Sequence, residues 1–151
     1  MGVLNMEDRT LFGPYRVLDL ANETGVLCGK IFGDLGADVI KVEAPGGDPA
    51  RNLGPYYHDT PHPERSLNWY SYNTSKRGIT LNLRARQGQE IFKRLVQSTD
   101  LIVETFPPGF MNTLGLNYQE LRKINPGIIL TLITPFGQTG PYKEMGKGGK
   151  K

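Results

Sequence analysis

Residues 34–47 read DLGADVIKVEAPGG, and this stretch decides the fold. Gly36 is placed to take the left-handed conformation that ends a helix. The segment that follows Ala37 is rich in valine and isoleucine, as in strands that are covered on both faces of a sheet. The stretch therefore predicts the end of a helix and then a buried strand, which is the repeating unit of an open parallel sheet.

The same alternation of strands and helices extends along the chain in both directions. Strands are predicted at residues 16–20, 38–43, 78–83, 101–105 and 128–133, the last as a buried strand. Helices are predicted at residues 27–35, 86–98 and 117–124. Strands that alternate with helices favour crossover connections, so the predicted fold class is α/β, a Rossmann-like parallel sheet with flanking helices.

Local patterns add detail to these helices. Asn22 and Asn117 are predicted N-caps, and Glu90 is placed to pair with Arg94 one turn further along its helix. The first helix is expected to bury one face, formed at helical spacing by Leu27, Cys28, Ile31, Phe32 and Leu35.

The composition limits the classes of function. A chain of 151 residues with 38% hydrophobic residues corresponds to about one globular domain. No apolar run approaches the roughly 18–20 residues of a membrane span, and the first twenty residues lack the apolar centre of a signal peptide. A net charge of +3 is too small to indicate nucleic-acid binding. We therefore expect a cytoplasmic protein with neither a membrane nor a nucleic acid as its partner.

Polar turns follow two of the predicted strands. Residues 44–47 follow the second strand, and residues 106–109 follow the fourth. Ligands of open α/β sheets bind outside the carboxyl ends of the strands, so these two turns are predicted to form a binding edge.

A long segment rich in proline and glycine, residues 44–69, lies between the second and third predicted strands. A loop longer than about 15 residues in a compact domain is usually functional or disordered, and a plain surface excursion is an equal alternative. His58 and His62 lie in this segment without a carboxylate or thiol at ligand spacing. No metal site is expected from these two histidines alone.

A dinucleotide site is the competing interpretation of the first strand, helix and second strand. This unit has Gly25 and Gly29 in its first turn and ends at Glu43, which is the outline of a Rossmann unit. The two glycines lack the G-x-G-x-x-G spacing that lets the backbone approach a pyrophosphate. Close packing of the helix on the sheet explains them better.

Five blocks of sequence follow one another along the chain, namely Val17-Leu18-Asp19-Leu20, residues 34–51, residues 73–83, residues 100–109 and residues 125–141. Their wording and order resemble the family III CoA-transferases, the CaiB/BaiF group that contains formyl-CoA transferase. The resemblance covers residues 16–142. It implies an incomplete N-terminal CoA-binding α/β domain at residues 1–142. Residues 143–151 are rich in lysine and glycine, end without resemblance to the family and are expected to form a flexible basic tail.

The resemblance also implies where coenzyme A or an acyl-CoA binds. In residues 73–77, adjacent cations and backbone N–H groups are suited to bind a phosphate. The alternative is a surface turn that contacts only solvent. Three turns on one side of the sheet are expected to form the site, and the implied contacts are Asn73, Thr74, Ser75, Lys76, Arg77, Thr105, Phe106 and Pro107, with Lys41 and Arg51 as further phosphate candidates.

One region departs from the family pattern. Glu23 and Thr24 occupy a position where family members contact the cofactor, but an acidic side chain disfavours a phosphate. This region is therefore expected to face the acyl group or the pantetheine arm.

The chemistry that the resemblance implies is transfer of CoA from an acyl-CoA to a carboxylic acid through an aspartate nucleophile. By the family pattern that aspartate lies beyond Lys151, so we expect an N-terminal portion that is inactive by itself and homodimeric when full length. Two alternatives stay open. One is a noncatalytic CoA-binding or assembly module, and the other is part of an α-methylacyl-CoA racemase, which requires an acid/base pair.

Overall fold

The structure, a computed structural model, describes residues 10–143 and residue 145. The predicted basic tail therefore lies outside the described residues, apart from Lys143 and Met145. The strands are β1 (Arg16–Leu20), β2 (Asp38–Glu43), β3 (Lys76–Thr80), β4 (Leu101–Glu104) and β5 (Ile129–Leu132). They form one sheet in the order β3-β2-β1-β4-β5, and every neighbouring pair is parallel. The predicted Rossmann-like α/β fold is confirmed.

Helices connect the strands and cover both faces of the sheet. They are α1 (Val26–Asp34), α2 (Leu67–Asn73), α3 (Arg86–Val96), α4 (Phe110–Thr113) and α5 (Tyr118–Ile124), with short 3-10 helices at Pro49–Asn52, Tyr57–Asp59 and Pro63–Arg65. Gly36 follows α1 with a φ of 100°, as predicted. The side chain of Asn117 caps α5 by accepting a hydrogen bond from the Glu120 N–H at 3.1 Å.

Alternate residues of the central strands point to two separate apolar clusters. In β1, Leu18 packs with Phe92 of α3 and Leu121 of α5 on one face of the sheet. Val17 packs on the other face, in a cluster that also contacts Phe32 of α1. Both faces of the central strands are thereby removed from water, which is the main source of stability in such a fold.

The predicted buried face of α1 is correct only at Cys28 and Phe32, which pack against the apolar cluster on that side of the sheet. Val26 and Gly29 are the buried residues of this helix, whereas the exposed fractions of Leu27 and Ile31 are 55% and 49%. Gly29 faces the sheet, where a Cβ would overlap the Asp19 carboxylate, as the close packing inferred from Gly25 and Gly29 predicts. Asn22 is not the N-cap either, because its side chain accepts a hydrogen bond from the Thr24 N–H and α1 begins after Gly25.

The strands at the two edges of the sheet also differ from expectation. β3 begins at Lys76, two residues before the predicted strand, because Lys76 already pairs with Val39 of β2. β5 pairs only with β4 among the described residues, and Ile129 is 60% exposed. The prediction of a buried last strand is therefore wrong.

A surface ion pair also differs from prediction. Glu90 accepts a hydrogen bond at 3.0 Å from Arg86, one turn before it, rather than pairing with Arg94.

The long segment between β2 and α2 is ordered by its own contacts. The Ser66 hydroxyl donates to the carbonyl of Leu53 at 2.6 Å, and the same oxygen accepts from the Trp69 N–H at the start of α2. Trp69 is buried, with the Arg51 guanidinium 4.1 Å from its ring centroid. These contacts fold the segment back over the end of the sheet.

Candidate functional site

A cavity of about 590 Å³ lies at the carboxyl ends of the strands. We call it the carboxyl-edge cavity. Four successive connections line it, with Asn22 after β1, Pro45 and Asp48 after β2, Arg84 after β3, and Phe106 after β4. The structure thus brings together the two turns at residues 44–47 and 106–109 that the sequence predicted as a binding edge.

One wall of the carboxyl-edge cavity is aromatic and cationic. The ring centroids of Phe106 and Phe110 are 4.7 Å apart. The Arg84 guanidinium lies 5.1 Å from the centroid of Phe110, and none of the ion pairs among the described residues involves Arg84. An aromatic surface beside an unpaired guanidinium suits a planar base or an apolar arm that is joined to a phosphate.

The turn that carries Arg84 is fixed by its neighbours. The side chain of Asn82 accepts a hydrogen bond from the Arg84 N–H at 3.0 Å. Gly88 of α3 lies against this turn so closely that a Cβ there would overlap the carbonyl oxygen of Asn82. The first turn of α3 therefore positions residues 82–84.

Glu104 is the last residue of β4, two residues before Phe106, and it lines a different cavity from the carboxyl-edge cavity. It is 2% exposed, and its carboxylate accepts a hydrogen bond from the backbone N–H of Phe106. Burial raises the pKa of Glu104 to about 7, although the Phe106 hydrogen bond acts in the opposite direction. The conformation of the 105–107 turn thus depends on a carboxyl group that titrates near neutrality.

The predicted turn at residues 73–77 lies at the other end of the sheet. Lys76 is the first residue of β3, so the residues before it precede the strand. The Ser75 hydroxyl donates to Asp34 at 2.8 Å, and Arg77 pairs with Asp38 at 2.6 Å. Asn73, Thr74, Ser75, Lys76 and Arg77 do not line the carboxyl-edge cavity, but Asn73 lines a cavity between α1 and α2. The contact of these five residues with CoA stays a prediction.

The other predicted cations are engaged in ion pairs. Lys41 is 2% exposed and lies 3.2 Å from Asp48. Arg51 donates two hydrogen bonds to Glu43, at 2.6 and 2.8 Å. Burial alone would raise the pKa of Glu43, but the hydrogen bonds from Arg51 and from a backbone N–H outweigh it and lower that pKa. Neither cation is free to receive a phosphate in this arrangement.

A second cavity, of about 370 Å³, lies between α1 and α2. We call it the helix cavity. Glu23 and Thr24 line it on one side, and Leu53 and Trp69 line it on the other. Glu23 directly follows Asn22 of the carboxyl-edge cavity, so one connection borders both spaces. The departure from the family pattern at residues 23 and 24 is therefore located beside the helix cavity.

The two histidines make local contacts. The Nδ1 atom of His62 accepts a hydrogen bond from the Glu64 N–H at 3.1 Å, and the ring of His58 stacks on Tyr57 at 4.0 Å. Residues 10–143 and 145 hold no group of three or more His, Cys, Asp or Glu side chains placed to bind a metal ion. No helix in this part of the chain is both long and apolar enough to cross a membrane.

Sequence reasoning missed Arg84 and Asn82. Because Leu81 and Leu83 are apolar, the third strand was predicted to extend to residue 83. The turn that follows Thr80 was therefore not recognised. The pairing of β3 with β2 ends at Thr80 opposite Glu43, and the chain leaves the sheet there. A strand placed two residues earlier would have identified this turn as part of the binding edge.

A parallel sheet with a cavity lined by four of its strand-to-helix connections defines an α/β protein that binds a ligand at the carboxyl ends of its strands. The chain belongs to CoA-transferase family III, whose family model matches residues 14–148.

Two proteins that this chain resembles in sequence are named as CoA-transferases. The chain is 44% identical over 130 residues to the succinyl-CoA:(R)-benzylsuccinate CoA-transferase subunit BbsE of Thauera aromatica, covering 86% of this chain and 32% of that protein. It is 44% identical over 131 residues to the succinyl-CoA–D-citramalate CoA-transferase of Chloroflexus aurantiacus, covering 85% of this chain and 32% of that protein. The chain thus spans about a third of the length of these relatives.

Solved structures show the same fold. A CAIB/BAIF family protein from Brucella suis matches with a TM-score of 0.78 and 40% identity, covering 86% of this chain and 35% of that one. The orthorhombic form of Rv3272 from M. tuberculosis matches with a TM-score of 0.79 and 36% identity, covering 89% of this chain and 37% of that one.

Proposed function

We propose that this chain is the CoA-binding N-terminal part of an enzyme that transfers CoA from an acyl-CoA to a carboxylic acid. The observation that carries the proposal is the carboxyl-edge cavity, in which an aromatic wall and the unpaired cation of Arg84 stand together. The family and the names of the relatives supply the class of reaction. These relatives are CoA-transferases, which favours transfer over the racemase alternative.

The proposed contacts revise those that the resemblance implied. Phe106 and Pro107, which line the carboxyl-edge cavity, keep their proposed role, with the adenine or the pantetheine arm against the ring of Phe106. Thr105 does not line this cavity, and its hydroxyl accepts a hydrogen bond from the Asn22 N–H at 2.9 Å, so its proposed role is to position that connection. Arg84 replaces the cations of residues 76 and 77 as the phosphate partner, because Lys76 is paired with Asp19 and Arg77 is paired with Asp38. Asn82 holds the Arg84 turn in place.

The acyl group is proposed to enter the helix cavity. The connection that carries Asn22 and Glu23 borders both cavities, so a thioester bound at the carboxyl edge lies near both spaces. Thr24 and Asn68 offer polar atoms there for a second carboxylate, such as that of a dicarboxylic acyl group. Glu23 opposes that charge, which makes it a candidate determinant of the acyl group.

The covalent steps are proposed to use an aspartate that lies beyond Lys151. Its carboxylate attacks the thioester carbonyl, the CoA thiolate leaves, and a mixed anhydride forms. The thiolate then attacks the enzyme carbonyl, the donor acid leaves, and the resulting enzyme thioester passes CoA to the acceptor acid. The chain by itself is therefore proposed to bind CoA without transferring it, and the whole protein is proposed to act as a cytoplasmic homodimer.

Calorimetric titration with CoA tests the proposal with two matched arginines. Arg84→Ala is expected to weaken binding by roughly ten- to a hundred-fold, the loss of one charge-assisted contact worth about 1.5–3 kcal/mol. Arg77→Ala, at the opposite end of the sheet, is expected to bind as the native chain does. The reverse result would restore the amino end as the site. Absence of binding by the folded native chain would retire the proposal for this chain.

A further inference from the structure

Four charged side chains lie together beneath the two cavities. Asp19, Lys41, Asp48 and Lys76 form what we call the ion quartet, whose side chains are 0–9% exposed. The Nζ atom of Lys76 lies 2.7 Å from Asp19, and the Nζ atom of Lys41 lies 3.2 Å from Asp48 and 3.9 Å from Asp19. The charges sum to zero, so the group is balanced within itself.

Stability alone does not explain the ion quartet. Burial of two ammonium groups and two carboxylates costs much of the attraction between them, and apolar residues of similar volume often serve a fold equally well. The same sheet already has apolar clusters on both faces. The buried charges of the ion quartet therefore indicate a role that apolar side chains could not perform.

The ion quartet holds both ends of the connection between β1 and α1. Asp19 accepts a hydrogen bond from the Ala21 N–H at 2.9 Å, and Lys41 donates to the Ala21 carbonyl. Lys76 donates to the carbonyl of Val26 at 3.1 Å. Between these anchors lie Asn22 of the carboxyl-edge cavity and the residues that border the helix cavity.

The ion quartet also holds the connection after β2. Asp48 accepts a hydrogen bond from the Ala50 N–H at 2.9 Å, and its own N–H donates to Glu43 at 2.9 Å. Lys41 reaches Asp48 from β2, and its Nζ atom lies 6.0 Å from the ring centroid of Trp69, which borders the helix cavity. One ammonium group therefore joins the connection after β1 to the connection after β2.

The packing of α1 makes room for the ion quartet. A Cβ at Gly29 would overlap the carboxylate of Asp19 and lie 3.2 Å from the Nζ atom of Lys76. Only a residue without a side chain lets α1 lie this close to the pair.

We propose that Asp19, Lys41, Asp48 and Lys76 are positioning residues that hold segments 21–26 and 44–50 in register, so that the carboxyl-edge and helix cavities are formed before the ligand binds. This inference rests on the proposed function, in which the two cavities take a CoA thioester. It assigns the four residues no contact with the reacting atoms.

The test removes one neutral pair and leaves the other. Lys41→Met combined with Asp48→Asn keeps the Asp19–Lys76 pair intact. We expect CoA to bind at least ten-fold more weakly by calorimetry. In the unliganded variant, hydrogen exchange at the amides of Ala21, Gly25 and Ala50 is expected to accelerate, while exchange in β4 stays native. Lys123→Met with Glu120→Gln removes an exposed pair on α5 and serves as the matched control, with native binding and exchange.

Two outcomes would overturn the inference. One is native CoA affinity in the double variant, and the other is native exchange at the three amides. If the double variant fails to fold, Asp48→Glu and Asp48→Asn replace it, since both retain an oxygen acceptor for the Ala50 N–H but only Glu retains the charge that pairs with Lys41. We then expect Glu, but not Asn, to keep affinity and slow exchange, and equal behaviour of the two would refute the role of the Lys41–Asp48 pair. Hydrogen exchange is measured without ligand. It therefore tests the positioning role even if the native chain does not bind CoA.

Discussion

Glu104 is the residue whose ionisation bears most directly on the candidate site. Burial raises its pKa from 4.5 to about 7. Between these two values the folded chain binds a proton that the unfolded chain has released, so stability falls as pH rises through this window. The shift corresponds to about 3 kcal/mol. We expect the free energy of unfolding to be lower at about pH 8 than at about pH 5.5 by about 2 kcal/mol, since pH 5.5 already lies inside this window. Urea unfolding at the two pH values measures the difference.

Glu104→Gln is expected to abolish most of that pH dependence, because the amide carries no titratable proton and its oxygen can still accept from the Phe106 N–H. Glu90→Gln, on the exposed face of α3, is the control and should keep the native profile. Parallel pH profiles for the native chain and Glu104→Gln would show that Glu104 is not the group responsible.

At the scale of the elements, α3 positions the Arg84 turn through Gly88. A Cβ at this position has no space, because the carbonyl oxygen of Asn82 occupies it. Gly88→Ala is therefore expected to destabilise the chain by about 1–3 kcal/mol, despite the higher helix propensity of alanine. It is also expected to weaken CoA binding, since residues 82–84 must move. Thermal unfolding and calorimetry measure the two effects.

Gly127→Ala is the matched substitution for Gly88→Ala, since the nearest atom to a Cβ at Gly127 is at ordinary contact distance, 3.6 Å. We expect it to leave stability and CoA binding close to native. A Gly88→Ala chain as stable as the native one would mean that α3 can shift away from the turn without cost.

The elements also show how far the sequence predicts the molecule. β1, β2 and β4 were identified because their apolar runs coincide with the hydrogen-bonded ladder. The third strand was predicted too far along the chain, because Leu81 and Leu83 are buried although they follow the last residue of β3. The face of α1 was assigned only in part, because Cys28 and Phe32 pack on the sheet whereas Leu27 and Ile31 are exposed. The turns at residues 44–47 and 106–109 were located correctly. Arg84 was missed because its place in a turn depends on where β3 ends, and the pairing of β3 with β2 sets that end.

At the scale of the whole molecule, two apolar surfaces stand open on the described part of the chain. One is the outer face of α1, where Leu27, Ile31 and Leu35 are 39–55% exposed. The other is the free edge of β5, where Ile129 is 60% exposed. Apolar patches and unpaired strand edges are both surfaces on which proteins associate. We expect the isolated chain to self-associate at high concentration, with α1 as the principal contact because it presents three large side chains.

Light scattering after size-exclusion chromatography, at low and high concentration, measures this association. Ile31→Glu with Leu35→Lys places an ion pair of favourable i,i+4 orientation on the outer face of α1 and is expected to give a monomer at both concentrations. Ile129→Lys protects the edge of β5 and is expected to leave the association largely unchanged. If Ile129→Lys alone gives the monomer, the strand edge is the contact. Neither substitution touches a residue that lines the carboxyl-edge cavity, so CoA binding should stay native in both variants and separate association from ligand binding.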